Sequence, residues 1–174
     1  MSRKCAQKET SVAVLFIFIA AVITVLTGCS KSSDELYAEG KKLLLNEDTF
    51  EKGIETLVLF EKKFPEDHRT PEILLALGTS YQSQKNFDEA AKTFQRLIEK
   101  YPHSVEAYKG MFLLGYMYYE GINDLEKAKT ILNRFIEMYP DSELTVSARV
   151  LVENIGLPIE EWSTVKKIGS ESKH

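Results

Sequence analysis

Leu74-Leu75-Ala76-Leu77-Gly78-Thr79-Ser80-Tyr81, then Asn86-Phe87-Asp88-Glu89-Ala90-Ala91-Lys92-Thr93-Phe94, closed by Leu97-Ile98-Glu99-Lys100-Tyr101-Pro102, spells out one helical hairpin. Apolar residues recur three and four apart in both arms, which is the spacing of one α-helical face. Gly78 in the first arm and Ala90 in the second are small enough for two backbones to approach closely. Gln84-Lys85-Asn86 supplies a polar turn between the arms. Pro102 cannot continue a helix, so it marks the end of the unit.

The same pattern stands on either side. A third unit carries Met111, Leu114, Gly115, Tyr118, Leu125, Ala128, Leu132, Phe135 and Pro140, and a weaker first unit carries Leu36, Gly40, Leu43, Phe50, Gly53, Leu57, Phe60 and Pro65. Their turns are Asn46-Glu47-Asp48 and Gly121-Ile122-Asn123-Asp124. The first and third units each carry one residue more than the middle one between the small residues of their two arms, 13 positions from Gly40 to Gly53 and from Gly115 to Ala128 against 12 from Gly78 to Ala90. The closing prolines lie 37 and then 38 residues apart. Pro71 and Pro158 also fall at a helix start or between helices, so no proline sits where it would cost ~3 kcal/mol. The predicted units are residues 34–67, 68–104 and 105–141. Residues 142–155 read as one more helix, with Ser142 as N-cap and with Gly156 and Pro158 as the stop. A single helix over the open apolar end is how a stack of repeats terminates in water. These elements make an all-α repeat domain over residues 34–156. In the tail, 157–174, Ile159 and Trp162 can fold back, and Lys166–His174 is expected to be disordered.

Ahead of the domain, Arg3, Lys4 and Lys8 precede an uncharged run from Thr10 to Gly28, ending in Leu26-Thr27-Gly28-Cys29. A basic start, an apolar core and small residues before a cut are the parts of an export signal. The ending resembles the bacterial lipobox, which implies cleavage after Gly28 and a diacylated Cys29 as first residue. The alternative, an uncleaved membrane helix, has 19 uncharged residues to work with, near the short limit for a hydrocarbon core of ~30 Å. The signal-length core, Val12–Leu26, and the short tether 29–33 favour the lipoprotein. Loss of residues 1–28 removes three basic side chains and Glu9, moving the formal net charge from −4 to −6. An acidic domain does not suit nucleic acid and has no pull toward anionic lipid. Cys5 leaves with the leader and Cys29 carries lipid, so the mature domain has no disulfide and relies on packing.

The Leu-Gly-x-x-Tyr…Ala…Phe…Pro spacing, complete from Gly78 to Pro102, resembles the tetratricopeptide repeat. That resemblance implies a short right-handed solenoid of three hairpins plus the cap helix. The long links, with Tyr101-Pro102-His103-Ser104 and Tyr139-Pro140-Asp141-Ser142, are similar to those of envelope lipoproteins. Two relatives stand out: the repeat lipoprotein of the outer-membrane β-barrel assembly machinery, and the repeat domain of the Tol-associated division coordinator. The coordinator usually has a coiled coil before its repeats, whereas here about five residues separate Cys29 from the first helix. By analogy with the sorting rules of bacterial lipoproteins, Ser30 rather than Asp after the cysteine implies the outer membrane.

No catalytic set stands out. His68, His103 and His174 are isolated, and neither a paired-ligand motif nor a glycine-rich phosphate loop is present. The expectation is therefore a protein that is no enzyme, with no cofactor, metal or small-molecule substrate. Carried over from the family, the concave face would present Tyr37, Lys41 and Leu44 from the first unit. The second would add Leu75, Thr79 and Gln82, and the third Phe112, Tyr116 and Tyr119. The last three recur at i, i+4 and i+7, and rigid aromatics make good contact residues. The resemblance implies a lipid-anchored periplasmic adaptor that binds peptides or partner subunits in β-barrel assembly. The second reading is a structural envelope lipoprotein associated with peptidoglycan or Tol components.

Overall fold

The computed structural model describes residues 31–158 together with Glu161. The leader 1–28, Cys29, Ile159, Trp162 and Lys166–His174 lie outside the described residues. Seven α-helices follow one another, with no strand among the described residues: α1 (Ser33–Leu43), α2 (Phe50–Lys63), α3 (Thr70–Ser83), α4 (Phe87–Lys100), α5 (Val105–Tyr116), α6 (Leu125–Met138) and α7 (Thr145–Asn154). None is long and apolar enough to cross a membrane. The pairs α1/α2, α3/α4 and α5/α6 are the three predicted hairpins, and α7 packs on α6. Because α3 also touches α5, the first arms lie side by side along one face of an all-α solenoid.

Each hairpin closes through a glycine facing a large apolar side chain. A Cβ on Gly78 would stand 2.5 Å from a ring carbon of Phe94, and one on Gly115 would stand 2.7 Å from Leu132. Both gaps are far inside van der Waals contact. Phe60, Phe94, Leu97, Leu132 and Phe135 are completely buried, each contributing ~1.5–3 kcal/mol by leaving water. One cluster of such residues runs from α4 to α7, and another joins the first hairpin to α3. Leu74, Leu97 and Ala107 bridge α3, α4 and α5 between them.

The turns accommodate their different lengths in different ways. In the middle hairpin Lys85 takes φ 59°, and the Asn86 N–H donates to the Tyr81 carbonyl at 2.9 Å. In the third hairpin Asn123 takes φ 61° and the Asp124 N–H reaches the Tyr118 carbonyl at 2.9 Å, one residue further along. The extra residue is absorbed as a π-helical turn over Met117–Ile122, which leaves Tyr118 buried and frees Asp124 to cap α6 through the Lys127 N–H. The first hairpin spends its extra residue on a 3₁₀ turn, Glu47–Thr49, opened by the Asn46 side chain.

The links repeat closely. Phe64, Tyr101 and Tyr139 each precede a proline, which disfavours the helical region, and they end α2, α4 and α6 at φ −129°, −130° and −131°. Tyr101 then donates its hydroxyl to the Pro65 carbonyl at 3.0 Å, and Tyr139 donates to the Pro102 carbonyl at 2.9 Å. Each link is thereby tied to the one before it. Phe64, in the first link, has no earlier proline to reach and lacks the hydroxyl. There, Arg69 bridges back to Asp34 at 2.7 Å and to Ser33 at 3.1 Å.

The final helix differs from expectation. It begins at Thr145, not after Ser142, and Leu144 occupies the cap position without a side-chain bond. The Ser142 hydroxyl instead accepts from the Leu144 N–H at 3.2 Å, within a turn that the Thr145 hydroxyl closes by donating to the Tyr139 carbonyl at 2.6 Å. Ala148 and Leu151 of α7 cover the core, while Ser147, Arg149 and Glu153 face water beside Val146.

Candidate binding cleft

The face formed by the first arms of the hairpins carries a cleft of about 510 Å³. Its floor is apolar: Leu75 and Ala76 from α3, Phe112 and Leu113 from α5, and Leu144 from the link ahead of α7. Phe112 is held by its ring edge against Phe135, with centroids 5.8 Å apart. Around the rim stand Lys41, Glu72, Thr79, Lys109 and Glu143. Helical spacing brings these groups together, since Glu72, Leu75, Ala76 and Thr79 share one face of α3, and Lys109, Phe112 and Leu113 one face of α5.

The rim is preset at one end. Tyr37 donates to both Glu72 carboxylate oxygens at 2.8 and 3.0 Å, and Lys41 donates to one of them at 2.8 Å. Burial pushes the Glu72 carboxyl up, but the Lys41 ammonium and the Tyr37 hydroxyl outweigh it and leave Glu72 below its ordinary value. The same hydrogen bond, followed by burial, raises the Tyr37 phenol. The Arg69 guanidinium stacks 4.9 Å from the Tyr37 ring centre and grips Asp67 through two side-chain bonds, Nε at 2.9 Å and Nη2 at 2.7 Å. Those bonds, with the Arg69 backbone N–H, hold the Asp67 carboxyl well below the usual carboxylate range.

Of the nine residues assigned to the concave face, Lys41, Leu75, Thr79 and Phe112 line the cleft. Tyr37 lies just behind its rim through Glu72. Leu44 packs against the first-hairpin core, and Tyr119 is partly buried against the larger cluster. Tyr116 is exposed and pairs with Tyr119 at 6.3 Å between ring centres. Gln82 is half-buried and lies outside the lining. Glu72, Ala76, Lys109, Leu113, Glu143 and Leu144 were not expected. Glu72 and Lys109 sit three residues before Leu75 and Phe112, so the helical stripe extended by one turn would have reached them. Among the described residues no group of three His, Cys, Asp or Glu can hold a metal ion.

Residues 30–156 match the model of the YfiO family, described as outer membrane lipoprotein. The chain belongs to that family. It is an outer membrane lipoprotein, with the helical-repeat architecture set out above. The matched span takes in all three hairpins, α7 and every residue of the cleft. No curated protein matches the chain.

Proposed function

We propose that this outer membrane lipoprotein is a non-enzymatic adaptor, anchored by lipid on Cys29, that holds an extended segment of a partner envelope protein in its concave cleft. The activity served is the assembly of outer-membrane β-barrel proteins. One observation carries the reading: an apolar floor continuous across α3 and α5, rimmed by charges of both signs. Apolar side chains of a bound strand would leave water on that floor, while the rim fixes its register. The Lys41–Glu72–Tyr37 bonds hold part of the rim in place before binding, which lowers the ordering cost. Membership in a family of outer membrane lipoproteins supports the compartment, and the family match begins one residue behind Cys29.

The test is to crosslink the native lipoprotein in its membrane and identify the captured proteins by mass spectrometry. Cys29→Ala serves as the mislocalised control, and Thr79→Arg fills the cleft from an exposed position. Barrel-assembly subunits or unfolded barrel proteins should be recovered, and Thr79→Arg should lose them. Recovery of peptidoglycan-associated or Tol proteins, unchanged by Thr79→Arg, would contradict the proposal and return the protein to the structural class.

A further inference from the structure

The links form a continuous row along one edge of the solenoid. The N-terminus of α1 is pinned to the first link by Arg69, that link to the second by Tyr101, and the second to the third by Tyr139. The three hairpin turns occupy the opposite edge. The described chain is tied down from its first residue, where Lys31 pairs with Glu39. Ser32 and Glu35 form a reciprocal capping box, with the Ser32 N–H donating to the Glu35 carboxylate at 2.8 Å and the Glu35 N–H to the Ser32 hydroxyl at 3.2 Å.

Ser32 stands three Cα-to-Cα steps from Cys29, with only Ser30 and Lys31 between them, so the chain between them reaches ~11 Å at most. Helix α1 has 11 residues and spans ~16 Å. If the turn edge lay on a membrane, Ser32 would stand farther from it than its tether can stretch. We infer that the link edge is the side turned toward the lipid headgroups, held there by a tether too short to let the domain turn over. This rests on the lipid anchor proposed at Cys29. One end of the cleft then lies beside the bilayer surface, because Glu143 and Leu144 belong to the third link and Glu72 to the first turn of α3, while Lys41, Thr79 and Leu113 continue it toward the turn edge. The segment it takes is one lying at, or arriving from, the membrane surface. The link edge carries Glu66, Asp67, Glu106, Asp141 and Glu143 against Lys63, Arg69 and Lys100, a net negative balance, so attraction to anionic lipid does not set this orientation; the covalent geometry does.

The mature chain has no cysteine besides Cys29, so His103→Cys on the link edge and Ser83→Cys at the end of α3 can each carry one fluorophore. Both positions are exposed. The lipidated full-length variants would be reconstituted into phosphatidylethanolamine–phosphatidylglycerol vesicles containing a lipid with a nitroxide headgroup. Quenching should be at least about threefold stronger at position 103, given the ~20 Å between the edges. The contrast should survive salt at about 0.5 M, which screens charge attraction. It should vanish when about twelve Gly/Ser residues, ~20 Å in r.m.s. length, are inserted between Ser30 and Lys31. Equal quenching, stronger quenching at position 83, loss in salt, or persistence with the long linker would each overturn the inference. Flotation of wild type and Cys29→Ser with the vesicles reports the anchor separately. Floating protein without a contrast sinks the orientation alone, whereas wild type that does not float sinks the anchor and the orientation with it.

Discussion

The first junction and the two that follow it occupy equivalent places and close with different chemistry. At the second and third links a phenol hydroxyl meets the carbonyl of the preceding proline, a neutral bond repeated at 3.0 and 2.9 Å. At the first link the aromatic is Phe64, and the tie is Arg69 reaching Asp34 and Asp67, both at 2.7 Å. The reason is positional. A terminal unit has no earlier proline carbonyl, so its link must be fixed to the start of α1, where acidic and hydroxyl side chains are available. Equal geometry can therefore rest on groups that titrate at opposite ends of the pH scale, while the closure inside the hairpins is apolar and common to them all.

That contrast can be broken at several levels. The largest effect is expected from Gly78→Leu, which attacks the shared hairpin closure. With Phe94 only 2.5 Å from the added Cβ, overpacking should cost about 3 kcal/mol or more. Loss of cooperative thermal unfolding by circular dichroism checks it, and an unchanged melting curve would refute the hairpin register.

Arg69→Met removes the charged junction together with the guanidinium stacked on Tyr37, and should lower Tm by less than Gly78→Leu and by more than Tyr139→Phe. The sign with pH follows from Asp67, whose folded carboxyl is depressed, first by its side-chain bonds to Arg69 and then by the Arg69 backbone N–H. Its stabilisation is complete above the unfolded value near pH ~4 and is lost as pH falls toward the folded one. Arg69→Met should therefore flatten the acid limb of a Tm–pH profile.

Tyr139→Phe sharpens the other side of the comparison. Loss of one neutral hydrogen bond should cost about 1 kcal/mol. Burial raises the Tyr101 and Tyr139 phenols, so their contribution is complete below the ordinary value near pH ~10 and is lost as pH rises through the folded one. Tyr139→Phe should soften the alkaline limb and leave the acid limb alone. The smallest change is expected from Tyr116→Ala, an exposed ring outside both kinds of junction, which should shift stability by no more than about 0.5 kcal/mol in denaturant titration.

The hairpins were legible because period, glycine and proline agree: Gly78, Ala90, Phe94 and Pro102 each restrict the chain in the same direction. The register of the last helix was not. Ser104 and Ser142 follow the same Tyr-Pro pair, yet Ser104 caps α5 through the Ala107 N–H at 3.0 Å and Ser142 caps nothing. The difference lies six residues past the aromatic. Thr70 and Thr145 carry hydroxyls that reach back to the Phe64 and Tyr139 carbonyls, tightening those links into turns, whereas Ala107 has no hydroxyl and leaves its N–H to Ser104. The cleft was half legible for a related reason. Its floor on α3 and α5 follows from helical spacing, but Glu143 and Leu144 join it because residues 142–144 are a link, where the sequence had indicated helix. Tyr119 and Leu44 show the converse, since a stripe continued along a helix does not reveal where packing claims a residue for the core.

The most direct test of the binding role is photocrosslinking in living cells, with a benzophenone amino acid placed at Thr79 on the cleft rim or at Lys92 on the outer side of α4. Both side chains are exposed, so neither replacement should disturb the fold. Discrete protein adducts at position 79, absent at position 92, are the predicted result. Adducts of equal yield at both positions, or at position 92 alone, would contradict the concave cleft as the place where this lipoprotein meets its partner.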